Sequence, residues 1–232
     1  MWAERTALLI GEENCEKLKN ASITVVGVGG VGGATAIMLA RCGVGELRLI
    51  DFDRVEESNI NRQVVANTET IGKLKTEVLK EMILKINPNS KVEAISERLT
   101  KENVSALINK NSYVVDAIDS VADKVELCDF CYKNNIPIIS AMGAGNRFDT
   151  PNFKLTDIYK TSNDGLAKVM RKKLKERGVK KLDVVVAESV AEKITPVGSI
   201  AYYPTMCGCV ICSTIVNNII SYNINFNIKI DK

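Results

Sequence analysis

Short apolar runs alternate with longer amphipathic stretches along the first 140 residues of the chain. The runs have the length and composition of buried strands, and the stretches have the periodicity of helices. The predicted strands span 23–26, 46–50, 91–95, 113–116 and 136–140, and the predicted helices span 15–19, 31–42, 72–86, 101–109 and 121–134. Because strands that alternate with helices form a mostly parallel sheet covered on both faces, the pattern predicts a doubly wound α/β fold.

The pattern is less regular after Gly145. Candidate strands at 153–158 and 184–187 and a helical pattern at 166–177 predict an additional C-terminal strand and helix region. The apolar stretch 206–220 is interrupted by glycine and asparagine and falls short of the roughly 20 residues that span a bilayer, so a buried helix and no membrane contact are expected. Since no linker or repeat is visible, a single domain is predicted over residues 1–232.

The most informative motif joins the first predicted strand to the helix that follows it. Its glycines are Gly27, Gly29, Gly30 and Gly32. Gly27 permits a tight turn, Gly29 lets backbone N–H groups approach a phosphate, and Gly32 lets the helix pack closely on the strand. The second predicted strand ends in Asp51, whose carboxylate can accept ribose hydroxyls. The motif therefore predicts a Rossmann-like sheet that binds a nucleotide.

Polar segments beyond Asp51 favour ATP over a dinucleotide. The glycine turn already serves a pyrophosphate, whereas Arg62 and Lys75 can neutralise the outer phosphates of a triphosphate. Asp119 follows the predicted strand 113–116, at the end where open α/β sheets bind ligands. Its carboxylate is a suitable oxygen ligand for Mg²⁺.

Composition excludes several mechanisms. The 232 residues contain no histidine, so Ser-His-Asp and Cys-His catalysis are impossible. Some of the seven cysteines have spacings that resemble those of zinc ligands, namely Cys128 and Cys131, and Cys207, Cys209 and Cys212. We interpret the first two as small buried helix residues and disfavour a zinc site, while metal binding or redox activity of the last three stays open. The N-terminus lacks the pattern of a signal sequence, which favours a cytoplasmic location.

The net charge of the chain is only +3, but basic residues are concentrated in the predicted helix 166–177. Its basic residues include Lys168, Arg171, Lys172 and Lys175. Such a run can hold RNA phosphates in a salt-dependent contact. Taken by itself, such a run is more typical of a solvated helix face, and only the resemblance described below favours RNA.

Six ordered motifs together resemble the adenylating superfamily related to ubiquitin-activating enzymes. They are GVGGVG at 27–32, DFD at 51–53, SNINRQ at 58–63, GKLK at 72–75, INP at 86–88 and DAID at 116–119. Within that superfamily, NRQ at 61–63, DAIDSV at 116–121, MGAGNRFD at 142–149 and DIYKT at 157–161 resemble the tRNA threonylcarbamoyladenosine dehydratase branch.

This resemblance implies a homodimer that uses ATP and Mg²⁺ to activate the carboxylate of threonylcarbamoyladenosine in tRNA, after which the side chain closes into a ring. It also implies an ATP-binding half, residues 1–145, and a substrate and dimer half, residues 146–232. The residues implied in nucleotide binding are Gly27, Gly29, Gly30, Gly32, Asp51, Asp53, Asn59, Arg62 and Lys75. Those implied in catalysis are Arg62, Lys75, Asp119 as the Mg²⁺ ligand, and Arg5, which enters the ATP site of the second copy.

Two alternatives stay open at the level of sequence. An enzyme that adenylates the C-terminal glycine of a ubiquitin-like sulfur carrier shares the ATP residues, but such relatives carry paired Cys-x-x-Cys motifs, and Cys207, Cys209 and Cys212 have no second pair beside them. A nucleotide-binding regulator without turnover is the other alternative, against which Arg62 and Lys75 count.

Some positions depart from the family pattern. Asp149-Thr150-Pro151 and Asp164-Gly165 stand where the family has Asp-Pro, and the segment 181–199 is shorter than expected, which leaves tRNA recognition open. A monovalent cation site, a cysteine-desulfurase or sulfur-acceptor partner, and the choice of tRNA are also left open.

Overall fold

Seven strands form one sheet in the computed structural model, which describes residues 3–221. They are β1 (Ser22–Val26), β2 (Glu46–Ile50), β3 (Lys91–Ile95), β4 (Tyr113–Asp116), β5 (Ile138–Ala141), β6 (Phe153–Asp157) and β7 (Asp183–Ala187). Their order across the sheet is β3-β2-β1-β4-β5-β7-β6. All neighbours are parallel except β6, which pairs antiparallel with β7 at one edge. The predicted mostly parallel sheet is confirmed.

Eight α-helices lie within the same residues. They are α1 (Glu4–Ile10), α2 (Glu12–Lys19), α3 (Gly30–Arg41), α4 (Lys75–Ile86), α5 (Val104–Leu107), α6 (Val121–Lys133), α7 (Gly165–Glu176) and α8 (Tyr202–Ser221). Short 3₁₀ turns at Glu57–Asn59 and Ile158–Lys160 complete the regular structure.

Alternate strand residues enter cores on opposite faces of the sheet. Val25 of β1 packs with α3, α4 and α8, whereas the adjacent Val26 packs with α5 and α6. In β7, Val185 joins the first core, and Val184 and Val186 join a core built by α6 and α7. Helices therefore cover both faces, which explains why the strands are nearly continuous apolar runs.

The structure corrects the start of the long third predicted helix. It begins at Lys75, not at residue 72, because Gly72 has a left-handed φ of 84° and Leu74 is extended. Leu74 also forms an isolated bridge with Arg54. Lys75 is consequently the first residue of α4, directly beside the loop that follows β2.

Other elements also differ from the predicted ones. The helix predicted over 101–109 is reduced to α5, because Asn103 closes a turn in which its Oδ1 accepts from the Thr100 N–H at 2.7 Å. β5 begins two residues later than predicted, since Pro137 has no N–H to donate to a neighbouring strand. α1 was not predicted, and Gly11, with φ of 81°, separates it from α2.

The C-terminal helix α8 is buried along one face, as predicted. Eight of its residues are buried, and it packs lengthwise on α3. The helix is long and apolar enough to cross a membrane, but the core helices of soluble proteins can have the same length and composition. The burial against α3 favours the core interpretation.

Candidate functional site

A crevice opens where the order of strands along the sheet reverses. β1 lies between β2 and β4, so the chain proceeds from β1 toward one edge and returns at β4 toward the other. Open α/β sheets bind ligands at such a point, outside the carboxyl ends of the strands. A cavity of about 520 Å³ lies there, which is the size of a small-molecule site. It brings together all predicted site residues except Gly32, Asn59, Arg5 and the basic residues of α7.

The glycine turn after β1 has no space for side chains. Gly27 has a φ of 84°, and a Cβ on it would lie 2.6 Å from the carbonyl oxygen of Ala117. A Cβ on Gly32 would lie 1.8 Å from the carbonyl oxygen of Gly27. Gly32 therefore allows the close packing that the motif predicts, and the first residues of α3 face the cavity. A helix N-terminus in this position attracts anions.

Asp51 is fixed by backbone groups at the carboxyl end of β2. Its Oδ2 accepts from the Val28 N–H at 2.7 Å, and its Oδ1 accepts from the Asp53 N–H at 2.8 Å. Burial raises the pKa of Asp51, while these two N–H groups and the charge of Lys75 oppose the rise. Each carboxylate oxygen retains a lone pair that can accept a hydroxyl from a ligand.

Lys75 places a buried cation at the cavity. The residue is 5% exposed, and its Nζ lies 2.8 Å from Asp53 Oδ2. The backbone N–H of Lys75 also donates to the carbonyl oxygen of Asp53 at 3.0 Å. An ammonium group has three donors, so the contact with Asp53 leaves two for an anion in the cavity.

Arg62 and Asn59 belong to one polar turn but have different positions in it. Arg62 lines the cavity, and its Nη1 donates to the carbonyl oxygen of Ser58 at 2.7 Å. Asn59 is buried beneath the turn, where its Oδ1 accepts from the Glu56 N–H at 3.2 Å and closes a capping box. These contacts make Asn59 a support of the turn that carries Arg62, and a direct contact between Asn59 and phosphate stays a prediction.

A buried ion pair supports the loop that carries Asp119. Lys124 Nζ lies 3.0 Å from Asp116 Oδ2 with both side chains fully buried, and it also donates to the carbonyl oxygen of Ile118 at 3.1 Å. Ser140 Oγ donates to the same Asp116 oxygen at 2.6 Å. Lys124 thus connects α6 to the loop at the cavity edge. Removing either partner of the buried pair would leave an uncompensated charge.

Asp119 fits the way in which proteins hold Mg²⁺ with a nucleotide. It lines the cavity and is exposed. Residues 3–221 contain no cluster of three or more His, Cys, Asp or Glu side chains that could hold a metal ion. Mg²⁺ is commonly bound by one or two carboxylates together with substrate phosphates, so a cation here depends on the nucleotide.

Two loops form the outer wall of the cavity. Ala144 and Gly145 line it from the loop after β5, and Val197 and Ser199 line it from the loop before α8. Asn146, with φ of 56°, joins these loops by hydrogen bonds to backbone groups of residues 194 and 198, at 2.8 and 2.6 Å. The short segment 181–199 thus forms part of the site.

A second buried ion pair connects this wall to α7. Arg147 Nη2 lies 3.1 Å from Asp164 Oδ2, and both side chains are 1% exposed. Arg147 Nη1 donates to the carbonyl oxygen of Gly143 at 2.7 Å. Asp164 Oδ1 in turn accepts from the Ala167 N–H at 2.8 Å and caps α7. The start of α7 and the outer wall therefore share one hydrogen-bond network.

Several further cavity side chains had no predicted role, among them Phe52, Gln63, Glu97, Arg98 and Asp123. The guanidinium of Arg98 lies 5.7 Å from the ring centroid of Phe52, and Arg98 Nη2 lies 2.9 Å from Asp123 Oδ2. A usable signal existed for Arg98, because it follows β3 at the same sheet edge where Asp51 follows β2. Phe52 lies in the DFD motif and Gln63 in the SNINRQ motif, but roles were predicted only for other residues of these motifs.

The predicted basic residues of α7 have unequal surroundings. Lys168, Lys172 and Lys175 are exposed. Arg171 is half-buried, and its Nη1 donates to the carbonyl oxygen of Thr161 at 3.0 Å. Arg171 therefore anchors the loop before α7, and the three lysines are the residues available to an RNA.

Arg5 lies outside the cavity of its own chain. It is exposed on α1, which packs on α2 and carries Leu8 and Leu9, 75% and 85% exposed. The predicted entry of Arg5 into a second copy stays a prediction.

The cysteines of α6 are buried, as predicted. Cys128 Sγ donates to Asp116 Oδ2 at 3.4 Å, and Cys131 lies in the core with α5. Burial raises the pKa of Cys128 well above its ordinary value and raises the pKa of Cys207 to about 12. Such thiols stay protonated near neutral pH and pack as small apolar side chains.

The fold and the cavity together define a class of protein. A doubly wound sheet with a phosphate cradle at its switch point, a carboxylate after β2 and a buried lysine is the architecture of a nucleotide-binding α/β protein. The family model of the ThiF family matches residues 3–231, and the chain belongs to that family.

Individual relatives extend over nearly the whole chain. The tRNA threonylcarbamoyladenosine dehydratase of Bacillus subtilis (strain 168) is 36% identical over 237 residues, which cover 93% of each chain. The crystal structure of the E. coli tRNA N6-threonylcarbamoyladenosine dehydratase in complex with AMP matches with a TM-score of 0.90 and 35% identity. The structure in complex with ATP matches with a TM-score of 0.87 and 34% identity. Each match covers 94% of this chain and 93% of the E. coli chain. The molybdopterin-synthase adenylyltransferase of Salmonella typhimurium is 38% identical over 137 residues, which cover 59% of this chain and 54% of that protein.

Proposed function

We propose that this protein is an ATP-dependent tRNA threonylcarbamoyladenosine dehydratase, which adenylates the side-chain carboxylate of the modified nucleoside and lets it close into a ring. The similarity to the Bacillus subtilis dehydratase carries the proposal, because it runs over 93% of both chains. It therefore includes the outer wall of the cavity and α7 as well as the phosphate cradle.

Adenylation of a sulfur-carrier protein is the weaker alternative. The molybdopterin-synthase adenylyltransferase matches over only 59% of this chain. Both activities need the same ATP-binding elements. A match over 59% of this chain therefore supports a shared use of ATP, but it does not support a sulfur-carrier protein as the substrate.

The proposed reaction has two displacement steps. A carboxylate oxygen attacks the α-phosphorus of ATP, the bond to the β-phosphate breaks, and pyrophosphate leaves with the electron pair. A nitrogen or oxygen of the same side chain then attacks the activated acyl carbon, and AMP leaves. AMP carries away one carboxyl oxygen, and the attacking atom releases its proton to solvent. Compared as neutral molecules, the nucleoside has lost OH from its carboxyl group and H from the attacking atom, so it is lighter by one water.

The residues of the cavity suit this chemistry. A carboxylate is already a nucleophile at neutral pH, so the missing histidine removes nothing that the first step needs. The work of the protein is to align the reactants and stabilise charge that develops on the phosphates. In the proposal Lys75 and Arg62 supply that stabilisation, Asp51 binds the ribose hydroxyls, and Asp119 holds the Mg²⁺ that balances phosphate charge when bound.

The remaining parts of the proposal concern assembly and substrate binding. The exposed lysines of α7 bind tRNA phosphates, and the protein is a cytoplasmic homodimer in which Arg5 of one copy completes the site of the other. Leu8 and Leu9 lie beside Arg5 and are 75% and 85% exposed, and in the proposed dimer the second copy covers them.

Turnover with defined substrates tests the function. We expect ATP to yield AMP and pyrophosphate only with tRNA that bears threonylcarbamoyladenosine, and mass spectrometry of the digested tRNA to show a nucleoside lighter by one water. AMP formation with a sulfur-carrier protein and not with the tRNA would instead establish the alternative.

Lys75→Met tests the assigned cation, with Lys73→Met as the matched control. Lys73 is exposed two residues earlier and does not line the cavity. Loss of a group that stabilises transition-state charge lowers turnover by about 100-fold or more. We expect that loss for Lys75→Met and none for Lys73→Met, with equal melting temperatures as the check on folding. Full activity of a folded Lys75→Met variant contradicts the role.

A further inference from the structure

Arg147 binds three segments of the chain from a buried position. Its Nη1 donates to the carbonyl oxygens of Gly143 and Gly145, at 2.7 and 3.4 Å. Its Nε donates to the carbonyl oxygen of Ser189 at 3.4 Å, and its Nη2 is paired with Asp164. Burying a charged group is costly unless it is paired and hydrogen-bonded, and all three nitrogens of this guanidinium have a partner. Arg147 therefore ties the loop after β5 to the loop after β7 and to the start of α7.

The ion pair lies directly against the backbone of the loop after β5. A Cβ on Gly143 would lie 2.9 Å from Asp164 Oδ2 and 3.5 Å from Arg147 Nη1, so a glycine here lets the pair approach the backbone. Two residues further on, a Cβ on Gly145 would lie 2.5 Å from Val197 Cγ1. Gly145 and Val197 both line the cavity. The pair thus acts on a stretch of backbone that ends at the outer wall.

Asp164 connects the same pair to the helix that carries the exposed lysines. Its Oδ1 caps α7 at the Ala167 N–H, and its carbonyl oxygen accepts from the Lys168 N–H at 3.0 Å. Lys168, the first of the three exposed lysines, therefore lies one turn from Asp164. Between this lysine and Gly145 at the cavity, the connection runs through two side chains, those of Asp164 and Arg147.

The outer wall differs in chemistry from the phosphate side of the cavity. Its residues, Ala144, Gly145, Val197 and Ser199, carry no charge. Lys75, Arg62 and the α3 N-terminus are the groups suited to the phosphates. An uncharged wall acts through its shape and position, by holding a reactant in the geometry for attack. We therefore assign the wall to the alignment of the acid and not to the binding of phosphate.

We propose that Arg147 and Asp164 are positioning residues, which fix the outer wall relative to α7 so that a carboxylate of a tRNA on α7 is aligned with the α-phosphate. This inference rests on the proposed dehydration and adds two residues that touch neither substrate. A misplacement of about 1 Å costs on the order of 100-fold in rate. Loss of the pair therefore lowers kcat and leaves the affinities for ATP and tRNA unchanged.

Arg147→Met combined with Asp164→Asn removes the pair without leaving a buried charge. Asparagine caps a helix as well as aspartate does, so α7 keeps its start. We expect kcat for AMP formation at saturating ATP and tRNA to fall on the order of 100-fold, with unchanged dissociation constants for both. Arg177→Met with Glu126→Gln is the matched control, because it removes an ion pair at the other end of α7 and should leave kcat unchanged.

Gly143→Ala tests the same role without changing any charge. Its Cβ would displace the Asp164 carboxylate, whereas the Cβ of Gly165→Ala, the matched control, meets nothing within 4 Å. We expect a smaller loss of kcat than in the double variant for Gly143→Ala and none for Gly165→Ala. This comparison also decides the matter if the double variant does not fold, and equal kcat values for the two alanine variants then overturn the inference.

Hydrogen exchange gives a readout that needs no tRNA. The Asn146 N–H donates to the carbonyl oxygen of Gly198 at 2.8 Å, and the Gly198 N–H donates to Asn146 Oδ1 at 2.6 Å, so both amides report on the wall. We expect faster exchange at these amides in the double variant, or in Gly143→Ala, and unchanged exchange in β1 and α3. Unaltered exchange at the wall contradicts the positioning role.

The outcomes separate this inference from the proposed function. A wild-type protein that forms no AMP with tRNA bearing threonylcarbamoyladenosine refutes the proposed function, and the inference with it. An active wild type together with a folded and fully active double variant overturns the inference alone. An equal loss of ATP affinity and of kcat overturns it as well, because the pair then supports the whole cavity.

Discussion

At the scale of single residues, Asp51 combines two effects that act on its ionisation in opposite directions. Burial raises its pKa, and the N–H groups of Val28 and Asp53 stabilise the ionised form. Burial is the larger effect, so the carboxyl group takes up a proton at a higher pH than an ordinary aspartate. The protonated group is a poorer acceptor for ribose hydroxyls.

Nucleotide affinity should therefore fall on acidification, beginning above the pH range near 4 in which an ordinary aspartate titrates. We expect the ratio of wild-type to Asp51→Asn affinity for ATP to be largest at neutral pH and to approach one as Asp51 becomes protonated. Titration calorimetry from neutral pH down through the range near 4, in which an ordinary aspartate titrates, measures this ratio. Protonation of ATP itself affects both proteins and cancels. Parallel affinity profiles for the two proteins contradict the role of Asp51.

Residues on motifs were predictable because local geometry determines their place. Gly27 and Asp51 follow strands directly, so strand order alone puts them at the crevice. The position of Gln63 depends on residues 62–64 packing across α3, a contact made by segments about 30 residues apart. The capping box closed by Asn59 Oδ1 was not predictable, because sequence does not show which local backbone N–H an asparagine accepts from.

At the scale of elements, helix α7 has one face that packs in the core and another that carries exposed lysines. Ala167, Met170 and Leu174 are buried, and Asp164 caps the helix while pairing with Arg147. Lys168, Lys172 and Lys175 are spaced at i, i+4 and i+7 and therefore share one exposed face. One face thus joins the core, and another presents three exposed cations.

Charge reversal on this face tests tRNA binding. We expect Lys168→Glu with Lys172→Glu and Lys175→Glu to weaken tRNA affinity and to flatten its dependence on salt, because each lost phosphate contact lowers the slope by roughly 0.7 to 0.9. Lys173→Glu, exposed on a different side of the helix, should have a much smaller effect. Filter binding over a salt series measures both. ATP affinity should not change, and an unaltered tRNA slope would identify a solvated face.

Helices and strands were predicted correctly where the hydrophobic periodicity is strong. Their predicted boundaries were wrong where a single turn residue ends or delays the element. The start of α4 depends on the left-handed Gly72, and the short α5 depends on the Asn103 turn. α1 was missed because seven residues give too little periodicity to recognise. The outer wall was unpredictable for a different reason, since Asn146 joins loops about 50 residues apart in sequence.

At the scale of the whole molecule, the proposed ATP half and substrate half share one sheet. Strands β1 to β5 precede residue 145, and β6 and β7 extend the same sheet beyond it. The cradle belongs to the first half, α7 belongs to the second, and the outer wall takes Ala144 and Gly145 from the first half and Val197 and Ser199 from the second. A catalytic cycle in this molecule therefore needs both halves, and in the proposed dimer it needs Arg5 of the second copy.

Mixing two inactive variants tests that dimer. Arg5→Ala and Lys75→Ala should each be inactive alone if Arg5 acts in the second copy. After subunit exchange, each mixed dimer has one intact site, so random pairing should restore about a quarter of wild-type activity. Pyrophosphate release during exchange measures the recovery. Mixtures that stay inactive, although mixed dimers are detected, place Arg5 in its own copy or outside the reaction.

The contact between α3 and α8 has a consequence for how the protein is made. A Cβ on Gly30 would lie 3.0 Å from Pro204 Cβ, and one on Gly208 would lie 2.7 Å from the carbonyl oxygen of Val31. At synthesis rates of about 5–20 residues per second, roughly ten to thirty-five seconds separate the emergence of these two segments from the ribosome. During that interval the nascent cradle lacks its covering helix, and we expect a chain arrested before residue 202 to expose the apolar face of α3 to chaperones.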